Sequence, residues 1–175
     1  IIAIYNAVKN GLPVMKRIST VTGDAVKNPS NFLYSIGTSY QELIDAAGGF
    51  KSQPEKIISG GPMMGFAMFG LDIPTTKTSS SILCFTKDEV TQFEPLACIN
   101  CGRCVEACPE QLIPSRLAKF ATNGLMSEFE KWHGLECIEC GSCTFACPSR
   151  RQVAQPIKTM KKLTLAEKRK QASKK

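Results

Sequence analysis

The chain has 175 residues, 43% of them hydrophobic, a globular composition with room for one ordinary domain or two small ones. Its nine cysteines all lie between positions 84 and 147, which argues against a disulfide framework, because such staples are spread along a chain and residues 1–83 have none. The net charge of +7 is that of the end alone: residues 156–175 hold eight Lys and Arg against Glu167, while residues 1–155 carry fourteen groups of each sign.

The chain opens Ile1-Ile2-Ala3-Ile4-Tyr5, in the middle of a structural element and without a methionine, and is expected to be a fragment of something longer. No charged stretch followed by an apolar one marks it for export, so the reducing cytosol is the default compartment. Residues 1–9 have apolar side chains at helical spacing and stop at Asn10-Gly11, as the last helix of an upstream domain would. After Pro13, residues 14–22 are rich in β-branched side chains and end at Gly23-Asp24, a strand and turn, and a second extended stretch runs through Phe32, Leu33 and Tyr34. Ser39 and Glu42 form a capping box opening a helix over 40–47, closed by Gly48-Gly49. A short strand over 56–59 follows. The segment Gly60-Gly61-Pro62-Met63-Met64-Gly65 reads as a structural turn rather than a ligand loop. The most apolar run, 63–71, is broken by Gly65 and Gly70 and falls far short of the roughly 20 residues that cross a bilayer. Residues 82–85 read as a last strand, with Cys84 a packed core thiol. A domain boundary is expected near residue 88.

The remaining eight cysteines form two copies of C-x2-C-x2-C-x3-C-P: Cys98, Cys101, Cys104 and Cys108 before Pro109, then Cys137, Cys140, Cys143 and Cys147 before Pro148. Two-residue gaps wrap three thiolates round one face of a 4Fe-4S cubane, and the next helical turn carries the fourth cysteine toward the other cluster. That spacing points to crosswise ligation. One cluster takes Cys98, Cys101, Cys104 and Cys147, and the other takes Cys137, Cys140, Cys143 and Cys108; the alternative is that each motif closes on its own cluster. Gly102 and Gly141 sit at matching places inside the wraps, where a side chain would crowd the cluster or a turn needs a positive φ. Ile99, Ile138, Val105 and Phe145 are expected to shield the clusters. Glu106, Glu136 and Glu139 would lower their potentials, whereas Arg103 would raise them. Zinc also binds C-x2-C pairs, but it would leave the third and fourth cysteine of each motif unexplained. An absorbance band near 400 nm that dithionite bleaches separates the two metals.

Between the motifs, residues 114–120 and 125–132 read as helices parted by Asn123-Gly124, and His133 as a surface residue at the second helix's end. The basic end, 156–175, reads as a helix fraying from about Lys168, either a solvated terminus or a surface that lies on anionic lipid or an acidic partner. A metal-stabilised nucleic-acid-binding protein with a basic arm is the reading from another class; the arm has no aromatic residue for stacking, and no nucleic-acid partner is expected.

With VTGDAVKNP at 21–29, SIGTSYQELIDAAGG at 35–49, KIISGGPMMGFAM at 56–68 and the two cysteine motifs in view, the chain resembles the C-terminal part of the C subunit of the Rnf electron transport complex. The resemblance implies an α+β chain: the end of an upstream flavin and nucleotide domain (1–13), a small β-grasp module of the soluble-ligand-binding kind (14–88), a helical two-cluster ferredoxin-like module (89–155) and a basic tail (156–175). It also implies an electron-carrying subunit of a redox-driven, ion-translocating ferredoxin:NAD oxidoreductase, peripheral on the cytoplasmic face of the plasma membrane. Its partners would be the other subunits of the complex and, through them, ferredoxin and NAD(H). FMN is expected only in the upstream domain, since the family's glycine-rich nucleotide loop has no counterpart here. An iron-sulfur relay subunit of another anaerobic redox enzyme is the runner-up.

Overall fold

A computed structural model of the chain describes residues 1–88 and 93–173. Two compact units result, Ile1–Val90 and Thr91–Lys175. The boundary expected near 88 abuts residues 89–92, which lie outside the described residues.

The first unit is a mixed α+β layer pair. Helix α1 (Ile2–Asn10) ends on Gly11 and buries none of its residues. Strands β1 (Lys16–Thr22), β2 (Ser30–Ser35), β3 (Lys56–Ser59), β4 (Phe66–Met68) and β5 (Ser81–Phe85) form one sheet in the order β2-β1-β5-β3-β4. β1 runs antiparallel to β2 and parallel to β5, and β3 lies antiparallel between β5 and β4. Alternation sends Ser19 and Val21 of β1, and Ile82 and Cys84 of β5, into one face. Helix α2 (Tyr40–Ala46) covers that face with Tyr40, Leu43 and Ile44. Both bonds of its capping box form: Glu42 N–H donates to Ser39 Oγ at 3.1 Å, and Ser39 N–H to Glu42 Oε2 at 3.0 Å. Cys84 is a core thiol, as its neighbours suggested, and burial pushes it up to about 11.

Residues 60–65 are a turn that joins β3 to β4, with Gly65 N–H donating to Gly61 C=O at 2.7 Å. A Cβ on Gly65 would stand 2.6 Å from Ile58 Cγ2 and from the carbonyl oxygens of Ser59 and Gly61, so that position is closed to any side chain. Strand β4 was not foreseen; three residues are too few for alternation to register.

The second unit is helical. Helices α3 (Arg103–Glu106) and α6 (Ser142–Phe145) are single turns inside the cysteine motifs. Between them lie α4 (Pro114–Thr122), opened by Pro114 at its first position, α5 (Met126–Lys131) and a 3-10 turn over Gly134–Glu136. Leu117, Phe129, Val153, Ile157 and Met160 make the core. Trp132 packs against Phe120 at 6.0 Å between ring centroids, with the Arg116 guanidinium 4.5 Å from its ring centroid. His133 is exposed and meets Glu136 at 2.8 Å.

Helix α7 (Ala154–Ala172) corrects the reading of the end as a fraying arm, since it is helical through Ala172. Ile157, Met160 and Thr164 are buried, the Thr164 hydroxyl donates to Met160 C=O at 2.8 Å, and Lys168 pairs with Glu130 at 2.6 Å. A stripe at i, i+3 and i+7 suffices to dock a helix whose composition is otherwise basic. Among the described residues no helix is long and apolar enough to cross a membrane.

Two substitutions test these packings. Tyr40 hydroxyl bonds Ser59 Oγ at 2.7 Å and Ser79 Oγ at 2.8 Å inside the first unit. Tyr40→Phe leaves both serines short of a partner and is expected to cost about 1–3 kcal/mol, read by denaturant unfolding through the near-UV signal of the tyrosines. Ile157→Ala empties the α7 contact of the second unit and is expected to cost about 2–5 kcal/mol, read by the fluorescence of Trp132.

Candidate metal centre

The two cysteine motifs fold alike, residue for residue. Gly102 at φ 80° and Gly141 at φ 83° open the single-turn helices, positions where a side chain would be strained. Cys108 N–H donates to Val105 C=O and Gln111 N–H to Cys108 C=O; Cys147 to Thr144 and Arg150 to Cys147 repeat the pattern. Four non-glycine residues adopt positive φ in matched pairs: Asn100 (55°) with Glu139 (60°), and Gln111 (53°) with Arg150 (52°). Each costs about 1–2 kcal/mol relative to ordinary helical or extended backbone. Such strain persists only where the surroundings impose it, and here it turns the Glu139 N–H onto Cys137 Sγ at 3.4 Å.

The eight thiols divide between two cavities, and the division crosses the motifs. A cavity of about 130 Å³ is lined by Cys98, Cys101, Cys104 and Cys147. A smaller one, of about 20 Å³, is lined by Cys108, Cys137, Cys140 and Cys143. Ser115 of α4 faces the first cavity and Pro114 and Leu117 the second, so the start of α4 walls both. The helix start carries a partial positive charge that suits an anion, although Pro114 has no N–H and the Arg116 and Leu117 N–H groups donate to Ile113 C=O.

The start of α7 joins the same wall through Ala154 and Ile157. Its Ala154 N–H donates to Thr144 Oγ1 at 2.8 Å, and Lys161 Nζ donates to Cys137 C=O at 2.6 Å. Sequence reasoning missed Lys161 as a neighbour of the motif. The signal was there only as a lysine one turn past Ile157, on a helix read as an arm.

Although both remain exposed, Ile99 and Ile138 line the first and second cavity. Val105 and Phe145 do not, and Phe145 is 84% exposed. Val105 directly follows the third cysteine of its motif and Phe145 stands two places after its own, both on single-turn helices. Each residue of helix rotates a side chain by about 100°, so one step for Val105 and two for Phe145 turn them away from the wall the cysteine faces. Of the charged residues expected nearby, Glu139 lines the second cavity, whereas Arg103, Glu106 and Glu136 line neither.

Burial pushes the Cys143 thiol up to about 11, with the Cys137 charge adding to it, and burial also raises Cys137. Hydrogen bonding with Ser142 lowers Cys140, against the opposing effects of burial and, least, the Glu110 charge. These thiols must lose protons to bind iron, so metal uptake from the free chain releases acid. The donor set fits an iron-sulfur cluster.

Comparison with known proteins bears on both units. Residues 18–67 match the SLBB domain family and residues 97–153 the 4Fe-4S dicluster domain family. The C subunit of a proton-translocating ferredoxin:NAD(+) oxidoreductase complex of Clostridium ljungdahlii is 50% identical over 127 residues, which is 73% of this chain and 28% of that protein. The C subunit of a Na(+)-translocating ferredoxin:NAD(+) oxidoreductase complex of Acetobacterium woodii is 45% identical over 167 residues, 95% of this chain and 38% of that protein. The C subunit of an ion-translocating oxidoreductase complex of Methanosarcina acetivorans is 37% identical over 130 residues, 74% of this chain and 29% of that protein. The chain thus spans well under half the length of these relatives. Over the part it spans, it belongs to the family of C subunits of ion-translocating oxidoreductase complexes, and carries an SLBB domain followed by a 4Fe-4S dicluster domain.

Proposed function

We propose that this chain is the electron-relay part of the C subunit in an ion-translocating ferredoxin:NAD(+) oxidoreductase complex, with two 4Fe-4S clusters whose ligands are exchanged. The observation that carries the proposal is the sorting of eight thiols into two cavities, three from one motif and the last from the other in each. Cys98, Cys101, Cys104 and Cys147 would hold one cluster, and Cys137, Cys140, Cys143 and Cys108 the other. A cluster bound there supplies reversible one-electron storage at low potential. The chain's own residues do the rest. The thiolates would bind the iron, the Glu139 N–H donates to the Cys137 sulfur, and Ile99 and Ile138 line one side of each cavity.

The sheet of the first unit, with its first and last strands parallel at the centre and one helix across a face, supports reading residues 14–88 as a β-grasp module. Residues 89–155 are then the two-cluster module, and residues 1–13 the end of a flavin and nucleotide domain. The FMN and NAD(H) sites are assigned outside this chain, which by itself only carries electrons. So is the ion pathway: relatives at 50% and 45% identity are named for different ions, proton and sodium. The chain would sit peripherally on the cytoplasmic face of the membrane, among the other subunits, with ferredoxin reached through the complex.

In α7, Lys161 turns inward and Lys168 pairs with Glu130, so Lys158, Lys162, Arg169 and Lys170 remain as the face for anionic lipid. Each such charge near a lipid surface contributes about 1 kcal/mol. Changing these four to Glu, which spares Ile157, Met160 and Thr164, is expected to abolish binding to phosphatidylserine vesicles at low salt in sedimentation. Unchanged binding removes the membrane contact. The ligand exchange is tested by Cys108→Ser in the chain reconstituted with iron and sulfide. Electron paramagnetic resonance is expected to show the Cys137-anchored cluster perturbed and the Cys98-anchored cluster intact, with Cys147→Ser giving the mirror image. If Cys108→Ser damages only the cluster of its own motif, each motif closes on itself.

A further inference from the structure

The cavities are built from matching halves of a repeat, yet their charges are opposite. Asn100 and Glu139 hold the same place in their motifs with nearly the same φ, and Asn100 lines the first cavity while Glu139 lines the second. Crossing of the motif ends widens the difference. The segment after Cys147 brings Arg151 to the first cavity, and the segment after Cys108 brings Glu110 to the second. Among the described lining residues, the first cavity therefore has one cation and no carboxylate, and the second has two carboxylates and no cation. Lys161, 4.0 Å from Glu139 and bonded to Cys137 C=O, offsets one carboxylate from behind. Arg103 and Glu106, both on α3, are of opposite sign and line neither cavity.

Reduction adds an electron to a site already negative, so a fixed carboxylate nearby opposes it and a fixed cation favours it. Arg151 and Glu139 are partly buried at the cavity walls, whereas Glu110 is exposed and more fully screened by solvent.

We propose that Arg151, Glu110 and Glu139 set unequal reduction potentials at the two cavities, the one lined by Cys98, Cys101, Cys104 and Cys147 being the easier to reduce. The inference rests on the exchanged ligation above. Its consequence is a direction: a single electron given to the chain by a one-electron donor resides at the first cavity, and the second is left oxidised.

The test is a redox titration of the full chain, reconstituted with iron and sulfide and followed by electron paramagnetic resonance. Cys98→Ser and Cys137→Ser assign the signals, since each removes a ligand from its own motif's cavity under either ligation scheme. The Cys137-anchored signal is expected at the lower potential. Glu139→Gln and Glu110→Gln are each expected to raise it, and Arg151→Gln to lower the Cys98-anchored signal, by about three- to tenfold in the equilibrium constant, tenfold being about 59 mV for one electron. A Cys137-anchored signal at equal or higher potential overturns the inference, as do shifts below about twofold in all three variants. If Glu110→Gln moves the Cys98-anchored signal and Arg151→Gln the other, the exchange of ligands is wrong and the inference falls with it. If Cys108→Ser upholds the exchange while the two potentials coincide, only the inference falls.

Discussion

Each motif's last cysteine stands on the wall of the other motif's cavity, and the second unit is organised by that exchange. A four-residue helix cannot stand alone, because it closes too few hydrogen bonds to offset the ordering of its own backbone. α3 and α6 therefore depend on what surrounds them. The start of α4 and the start of α7 supply a common wall, and Leu96 N–H donates to Ser149 C=O at 3.0 Å, tying the entry of the first motif to the exit of the second. The spacing between the motifs is filled by helices packed on Phe129 rather than by a loose linker.

The strained backbone has the same origin. Left-handed φ at Asn100, Glu139, Gln111 and Arg150 is unfavourable in isolation, least so for Asn. Repetition of the same conformation at the same positions of both motifs identifies it as a requirement of the wrap, since chance strain would not recur in register. Turning the chain two residues past the first cysteine of the second motif aims an amide at that cysteine's sulfur, and turning it again three residues past the last cysteine directs the backbone away to the next helix.

Helix α7 shows how one element can serve packing and electrostatics at once. Its buried stripe of Ile157, Met160 and Thr164 fixes its rotation about its own axis. With that rotation fixed, Lys161 points at the Cys137 carbonyl and Lys168 at Glu130, while other basic side chains face outward. The first unit uses a comparable device, with the Tyr40 hydroxyl linking α2 to β3 and to Ser79 ahead of β5.

The sequence by itself determined whatever depends on local chemistry at fixed spacing. The Ser39 to Glu42 capping box, Pro114 at the head of α4, the turn at 60–65 and the repeated cysteine pattern are all of this kind, because a few adjacent residues set the backbone or name the donor atoms. Tertiary structure decided what depends on residues far apart in the chain. Strand β4 exists because β3 offers it an edge, not because three residues prefer to be extended. Arg151 and Glu110 each reach the cavity of the other motif only because the chain ends cross, so no reading of their own motif would place their charge. The role of α7 was concealed for the same reason: its charge is counted along the chain, but its burial is set by α4, and an apolar stripe of a few residues becomes a core only when a partner surface is there to meet it.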